Sequence, residues 1–414
     1  MRAIGYLLKP SLVAVGSIAY SKKEKCEGSP SVFSWGLNTS GQLGIGSDIS
    51  RAVPTNIEEL ESERISKVFS SGQSLSSIAI NQTGEVFTWG HGMDGVLGHA
   101  DTDANVLIPT PLDNLEGAKV QKVACGGGHM AALTSEGQIF TWGLDDCGQC
   151  GQDPGPAEKN SKFYQPQAFL GGKPPSVVKG PLEGKRLVDV GCGRYFTAVV
   201  TEEGELYTWG VGRDFALGHG DKREQRTPKK VEDLSNTKII KVACGRNFIV
   251  ALDEKGNLYS WGNNDNGQLG VSATDKFKDK PQKIKVLRNV VDIAAGDFHV
   301  VAVNSKGQVY SWGSGGEGQL GHGNTSNQST PRLVQDVPPV AKVACGGGHT
   351  ALMTQDFKLM MVGRGRDGQL GRQGKIESVA SYRTELVPVE FFENYRVLDI
   401  ACGAHHSLAI AINS

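Results

Sequence analysis

The sequence predicts an all-β fold, a seven-bladed β-propeller with four-stranded blades, and three observations carry that prediction. All six tryptophans of the 414-residue chain precede glycine, at Trp35, Trp89, Trp142, Trp209, Trp261 and Trp312, with spacings of 54, 53, 67, 52 and 51 residues. Fifty residues further on, Val362-Gly363 keeps the pattern with valine in place of tryptophan. A second element alternates with the first, a Val-Ala-Cys-Gly run with histidine three residues past its glycine, so that both halves of the repeat occur seven times. Self-similarity at a period near fifty marks a radially repeated architecture whose single units cannot bury a core alone.

Each element has a physical reading. Six residues after tryptophan comes a Gly-Gln-Leu-Gly turn, beginning at Gly41, Gly95, Gly148, Gly267, Gly318 and Gly368, while Phe215 stands in the first glycine's place in the fourth copy. Glycine at a fixed offset fits a backbone position with positive φ or close approach, which makes Phe215 an odd substitution. The loop histidines are His129, His299, His349 and His406; Phe196 and Phe248 replace two others, and Ser76 takes the place in the copy near Gly72, which carries one extra residue. Histidines repeated by ring symmetry solve one packing or hydrogen-bond problem in each blade, and the same holds for His99, His219 and His322.

Alternating segments such as Met130 to Thr134 and Gln138 to Trp142, joined by Ser135-Glu136-Gly137, read as β-hairpins. A proline-bearing segment at Pro54, Pro111, Pro228, Pro281, Pro331 and Pro388 reads as the outermost strand, since proline is tolerated at sheet edges. The chain starts and stops in the middle of a unit. Strands around Ile400 to Ile410 should therefore pair with Val32 to Trp35 and close the ring, leaving only short, protected edges.

Length alone would suggest two or three domains, but the repeat makes residues 31–414 one propeller, with a proline-rich, projecting insertion at about 152–185. Net charge is −1; residues 1–30 contribute +3, leaving −4 for the propeller and no overall phosphate-binding character, although a sum can hide a local basic patch. Of eight cysteines, Cys125, Cys192, Cys244, Cys345 and Cys402 share one repeat position, where Ser71 and Ala295 stand in the other copies. That position selects a small buried side chain, in keeping with a reducing compartment. Cys147 and Cys150 have CxxC spacing but lack the two further ligands a zinc site needs. Residues 1–23 are basic, acid-free and serine-bearing, as in a mitochondrial targeting segment. Their apolar run, Ser11 to Tyr20, is short of the roughly 20 residues that span a bilayer, which leaves only peripheral membrane contact open.

The Trp-Gly, Gly-Gln-Leu-Gly and Ala-Cys-Gly-Gly-Gly-His elements resemble those of the regulator of chromosome condensation family of seven-bladed propellers, over residues 31–414. Its members include the Ran nucleotide-exchange factor, plant ultraviolet-B photoreceptors, ubiquitin-ligase modules and mitochondrial proteins, so the resemblance is specific for fold and broad for activity.

Up-and-down strand order puts the Gly-x-x-His loops and the loops after Trp-Gly on one face, and the hairpins and crossovers on the other. Function is expected where copies differ: Arg194, Tyr195, Arg246, Asn247, Asp297, Phe298 and His405 between glycine and the loop histidine position, with Arg213, Asp214, Arg364 and Arg366 after Trp-Gly. Arginine and aromatic residues favour a protein partner. No nucleophile elbow, phosphate loop or metal cluster appears, and neither a cofactor, a small-molecule substrate nor nucleic acid is expected. The expectation is a non-catalytic, protein-binding mitochondrial propeller that regulates a small or dynamin-like GTPase by nucleotide exchange, or assists complex assembly. The alternative is a nuclear or cytosolic Ran-type exchange factor. The resemblance implies acidic residues just before the loop histidines for that activity, and a wedge after one Trp-Gly. Here those positions hold Gly128, Phe298, Gly348 and His405, all seven turns keep the same offset, and no strongly basic nuclear tail is present. Ultraviolet sensing would need tryptophans beyond the six structural ones.

Overall fold

Hydrophobic alternation and glycine turns produce 28 strands among the described residues, grouped into seven four-stranded antiparallel sheets. The computed structural model describes residues 29–99, 104–115, 117–152, 172–272, 274–372 and 381–414. Blades 1 to 6 begin, at the channel, with Ile65–Phe69, Val120–Cys125, Leu187–Cys192, Ile239–Cys244, Val290–Ala295 and Val340–Cys345. Blade 7 joins Tyr395–Cys402 and His406–Asn413 to Ser31–Gly36 and Arg51–Asn56, pairing Val32 with Ile410 and Trp35 with Ser407. The ring thus closes as the half-repeats required.

Register refines three sequence expectations. Phe69 pairs with Ile78 as Ala124 pairs with Ala131, which puts Ser70, not Ser71, at the cysteine position. Five residues rather than three then separate it from Ser76, so the blade 1 loop carries two extra residues. Thr88 pairs with Thr110 and Thr208 with Lys229, so Pro109 rather than Pro111 matches Pro228, and Leu386 rather than Pro388 holds the place in blade 6. Lys173–Val177, expected in a projecting insertion, is the outer strand of blade 2, and its Pro175 supplies the missing repeat proline. The excursion itself, 153–171, and the amino-terminal segment lie outside the described residues.

All six tryptophans are at most 1% exposed, each wedged between blades. The indole N–H of Trp209 donates to Gln149 O at 2.9 Å, in the turn of the preceding blade, and Trp35, Trp89 and Trp312 reach Gln369, Gln42 and Gln268 in the same way. This packing explains the turn's second glycine: a Cβ on Gly44 would lie 2.6 Å from Trp89 Nε1. In blade 6, where Val362 replaces tryptophan, the corresponding Gly321 faces Leu386 and Val334. Leucine in place of the repeat proline occupies room that the indole leaves, so this seam is refilled rather than simply depleted.

The loop histidines belong to the same seams. His129 Nε2 lies 2.9 Å from Thr197 Oγ1 of the next blade, whose hydroxyl donates to Gln149 O at 2.8 Å. That hydroxyl has one proton, so the imidazole must be the donor between them. His299 with Thr350, His349 with Ser407 and His406 with Ser77 repeat the arrangement. Burial holds the imidazoles neutral, at about 3 for His129, His349 and His406 and about 4 for His299. Where Phe196, Phe248 and Ser76 replace histidine, the facing residues are the fully buried Ile249, Val300 and Met130. Every seam therefore matches the imidazole N–H to a hydroxyl or leaves both out, while Nδ1 of each of the four histidines is buried without a partner among the described residues.

A belt of charge lines the channel. Each innermost strand carries a bulge, and the paired residue just past it is Lys67, Lys122, Asp189, Lys241, Asp292, Lys342 and Asp399 in blade order. Lys122 pairs with Asp189, Lys241 with Asp292 and Lys342 with Asp399. Asp189 and Asp399 also accept from the backbone N–H groups of Val242 and Val68, at 2.8 and 3.0 Å, so the belt caps strand edges that would otherwise stay open. An odd ring cannot alternate throughout. Lys67 is the surplus cation; it donates to Gln121 O at 2.8 Å, and burial lowers its pKa.

Candidate partner-binding face

Leu144 N bonds Gly128 O and Asn263 N bonds Asn247 O, so the loops after Trp-Gly lie against the Gly-x-x-His loops on one face, as strand order required. Hairpins and crossovers share the other: Gly84 O accepts from Val120 N, and Lys119 O from Ser135 N. All eleven sequence-predicted residues therefore fall on the loop face, but in three neighbourhoods rather than one.

The first is the channel mouth. Successive loops are linked by backbone bonds, Gly127 N to Arg194 O, Arg194 N to Arg246 O and Arg246 N to Asp297 O, at 3.0, 3.2 and 3.2 Å. The Arg194 guanidinium lies 5.1 Å from the Tyr195 ring, and that of Arg246 5.6 Å from Phe298. Gln73, from the lengthened blade 1 loop, donates to Asp297 Oδ1 at 3.0 Å, bridging blades 1 and 5 at the mouth. Burial raises the Asp297 carboxyl to about 6, against the lowering influence of Gln73 and Arg194.

The second lies between blades 3 and 4, where Asn247 Nδ2 donates to Asp214 Oδ2 at 2.9 Å beside the exposed Arg213. The third spans blades 5 to 7. Arg364 pairs with Asp367 at 3.4 Å, His405 Nδ1 lies 3.7 Å from the same carboxylate, and Arg366 pairs with Glu317 at 3.3 Å. Burial and Arg364 depress the His405 pKa, against Asp367, so the imidazole is neutral. The Gly-x-x-His loops of blades 2 and 6 contribute only glycine pairs, Gly127-Gly128 and Gly347-Gly348.

Sequence reasoning missed Gln73, Glu317 and Asp367. The extra length of the Gly72 loop was a signal for the first. The acids were hidden because each stands just before a repeat turn while its partner lies in the next blade, Arg366 for Glu317 and His405 for Asp367. Among the described residues no group of three or more histidine, cysteine or acidic side chains is placed to hold a metal ion.

A closed ring of seven such blades, with charged and aromatic loops gathered on one face, defines a propeller of the RCC1 type. The RCC1-like domain model matches residues 108–414, and the regulator of chromosome condensation (RCC1) repeat matches 31–78. The chain belongs to the regulator of chromosome condensation family. It is 35% identical to the ultraviolet-B receptor UVR8 of Arabidopsis thaliana over 82% of this chain and 74% of that protein. It is 34% identical to the mitochondrial RCC1 domain-containing protein RUG3 of the same plant, over 72% of this chain and 64% of RUG3. The crystal structure of human WBSCR16 superposes with a TM-score of 0.76 at 25% identity, covering 93% of this chain and 99% of that one.

Proposed function

We propose that this chain is a non-catalytic, protein-binding propeller of the mitochondrion whose loop face engages a small or dynamin-like GTPase, promoting nucleotide exchange, or an intermediate of complex assembly. The observation that carries the reading is the uneven loop face. Blades 3 to 7 present five arginines as well as Tyr195, Phe298, Asp297 and His405, in three neighbourhoods, while the Gly-x-x-His loop of blade 2 offers only glycine. Arginine and aromatic side chains on rigid loops suit a protein partner. The mitochondrial relative RUG3 and the basic, acid-free residues 1–23 support the location. The Ran-type alternative has less support, because Gly128, Phe298, Gly348 and His405 stand where the resemblance calls for acids.

The test has two readouts. Microscopy of the chain with and without residues 1–30 should show mitochondrial signal for the first alone. Affinity purification from isolated mitochondria should recover a GTPase or an assembly factor, and an Arg194→Ala/Arg246→Ala variant should lose it. Cytosolic staining of the intact chain would overturn the location, and catalysed release of labelled GDP from Ran would restore the alternative.

A further inference from the structure

Phe215 takes the first position of the turn that follows Trp209. At the same place Gly41, Gly148, Gly267, Gly318 and Gly368 have φ between 74° and 84°, and Phe215 keeps that left-handed backbone with φ of 60°. Bulky L-residues rarely adopt it. Space is also short at this position. A Cβ on Gly148 would lie 2.6 Å from Arg226 Cα, and one on Gly267 2.7 Å from Ser329 Cα, because the next blade's outer strand packs flush against the turn.

Around Phe215 the neighbouring strand is different. The outer strand of blade 4, Phe277–Ile284, has eight residues against six in blades 3 and 5, and begins at Phe277 beside Asn263. The Phe277 ring lies 4.7 Å from that of Phe215, at 33°. Lys222 Nζ sits 4.8 and 5.1 Å from the two ring centroids. Phe277 is 42% exposed and Phe215 half-buried, so the pair presents one open ring on the rim of the loop face, next to Arg213 and the Asp214–Asn247 bond.

Charge extends the feature. Residues 275–285 carry Lys276, Lys278, Lys280, Lys283 and Lys285 against Asp275 and Asp279, in a propeller whose overall charge is negative. Backbone strain retained at a surface loop, with an exposed ring, a half-buried one and cations around it, is a pattern that belongs to binding sites.

We propose that Phe215, Phe277 and Lys222 anchor an acidic segment of a protein partner, with one of its apolar side chains seated on the two rings and its carboxylates meeting the lysines of the blade 4 strand. The idea rests on the protein-binding reading above and extends it to a stated partner chemistry. It does not depend on mitochondrial location or on a GTPase.

The purified full chain would be titrated with three fluorescein-labelled peptides: an acidic one with a central phenylalanine, its central-serine counterpart and a lysine-rich version of the first. A uridine oligonucleotide of equal charge is the fourth probe. The acidic phenylalanine peptide should bind best, with affinity that falls as salt rises. Phe277→Ser and Lys222→Glu should each weaken it about tenfold, the scale of an interface anchor. Phe215→Gly should weaken it similarly while raising the melting temperature, because it restores the repeat glycine. Equal binding of the serine peptide, tighter binding of the oligonucleotide, unchanged affinity in all three variants, or a lowered melting temperature for Phe215→Gly without loss of binding would each overturn the proposal. Failure of the mitochondrial or GTPase reading would leave these titrations unaffected.

Discussion

Thr197→Ile tests whether the histidine–hydroxyl seams hold the ring together. The threonine hydroxyl receives the His129 N–H at 2.9 Å and gives its own proton to Gln149 O at 2.8 Å. With isoleucine there, Gln149 O keeps the Trp209 indole N–H at 2.9 Å, but His129, fully buried, loses its side-chain acceptor. Stranding a buried donor costs about 1–3 kcal/mol, whereas removing both partners at constant shape is nearly neutral. His129→Phe in the same chain copies the Phe196/Ile249 seam of blades 3 and 4, so the double variant should recover most of the loss. His129→Phe alone leaves Thr197 bonded to Gln149 and should cost under about 1 kcal/mol. Urea unfolding followed by tryptophan fluorescence at pH 7.5 gives the three midpoints. Additivity to within about 0.5 kcal/mol, or a Thr197→Ile cost below that, would refute the staple.

The same histidines predict acid sensitivity. Their folded pKa values of about 3 to 4 lie below the ordinary 6.5, so the unfolded chain binds up to four protons that the folded ring refuses, and stability falls as pH drops below 6.5. Asp297 opposes with one proton, since its folded pKa of about 6 lies above 3.8. These five groups net about three protons, worth about 4 kcal/mol between pH 5.5 and 4.5, and His219, which burial lowers to about 4, adds to the fall; equal urea midpoints at those two values would refute the assignment. In the channel belt, Lys241→Met strands Asp292 and should cost about 1–3 kcal/mol, whereas Lys67→Gln removes the surplus cation and should cost under about 1 kcal/mol. Equal midpoint shifts for the two would count against an ordered belt. Val362→Trp alone should overpack against Leu386 by about 1–3 kcal/mol, and adding Leu386→Pro should recover it, as differential scanning calorimetry would show.

The architecture was legible because every blade solves the same problem with the same residue types. Tryptophan, the glycine turns and the prolines are columns, and a column can be read without knowing what it touches. Pairings between columns were harder. Thr197, Thr350, Ser407 and Ser77 each stand one residue after the loop position, and each pairs with the histidine one repeat earlier, a rule visible only once consecutive blades are known to share a seam. The belt was hidden in the same way, since Lys122 and Asp189 look like ordinary polar residues in alternating strands until the ring brings them together. Of the candidate face, the position of each residue followed from strand direction. Its division into three neighbourhoods did not, because Gln73, Asp367 and Glu317 act across blades.

Phe215 separates what the turn does for the ring from what its side chain does. In blade 4 the Trp261 indole donates to Ala216 O at 3.0 Å, the same bond that Trp312 makes to Gln268 O at 2.9 Å where glycine precedes. The backbone of the turn therefore performs its part whether glycine or phenylalanine stands before the accepting carbonyl. The seam behind it is already closed by Phe196, Ile249 and Trp261, all at most 1% exposed. Nothing in the core calls for a benzyl group at 215, and the left-handed backbone disfavours one. The side chain is surplus to the scaffold, and the rings and lysines gathered around it lie on the outside.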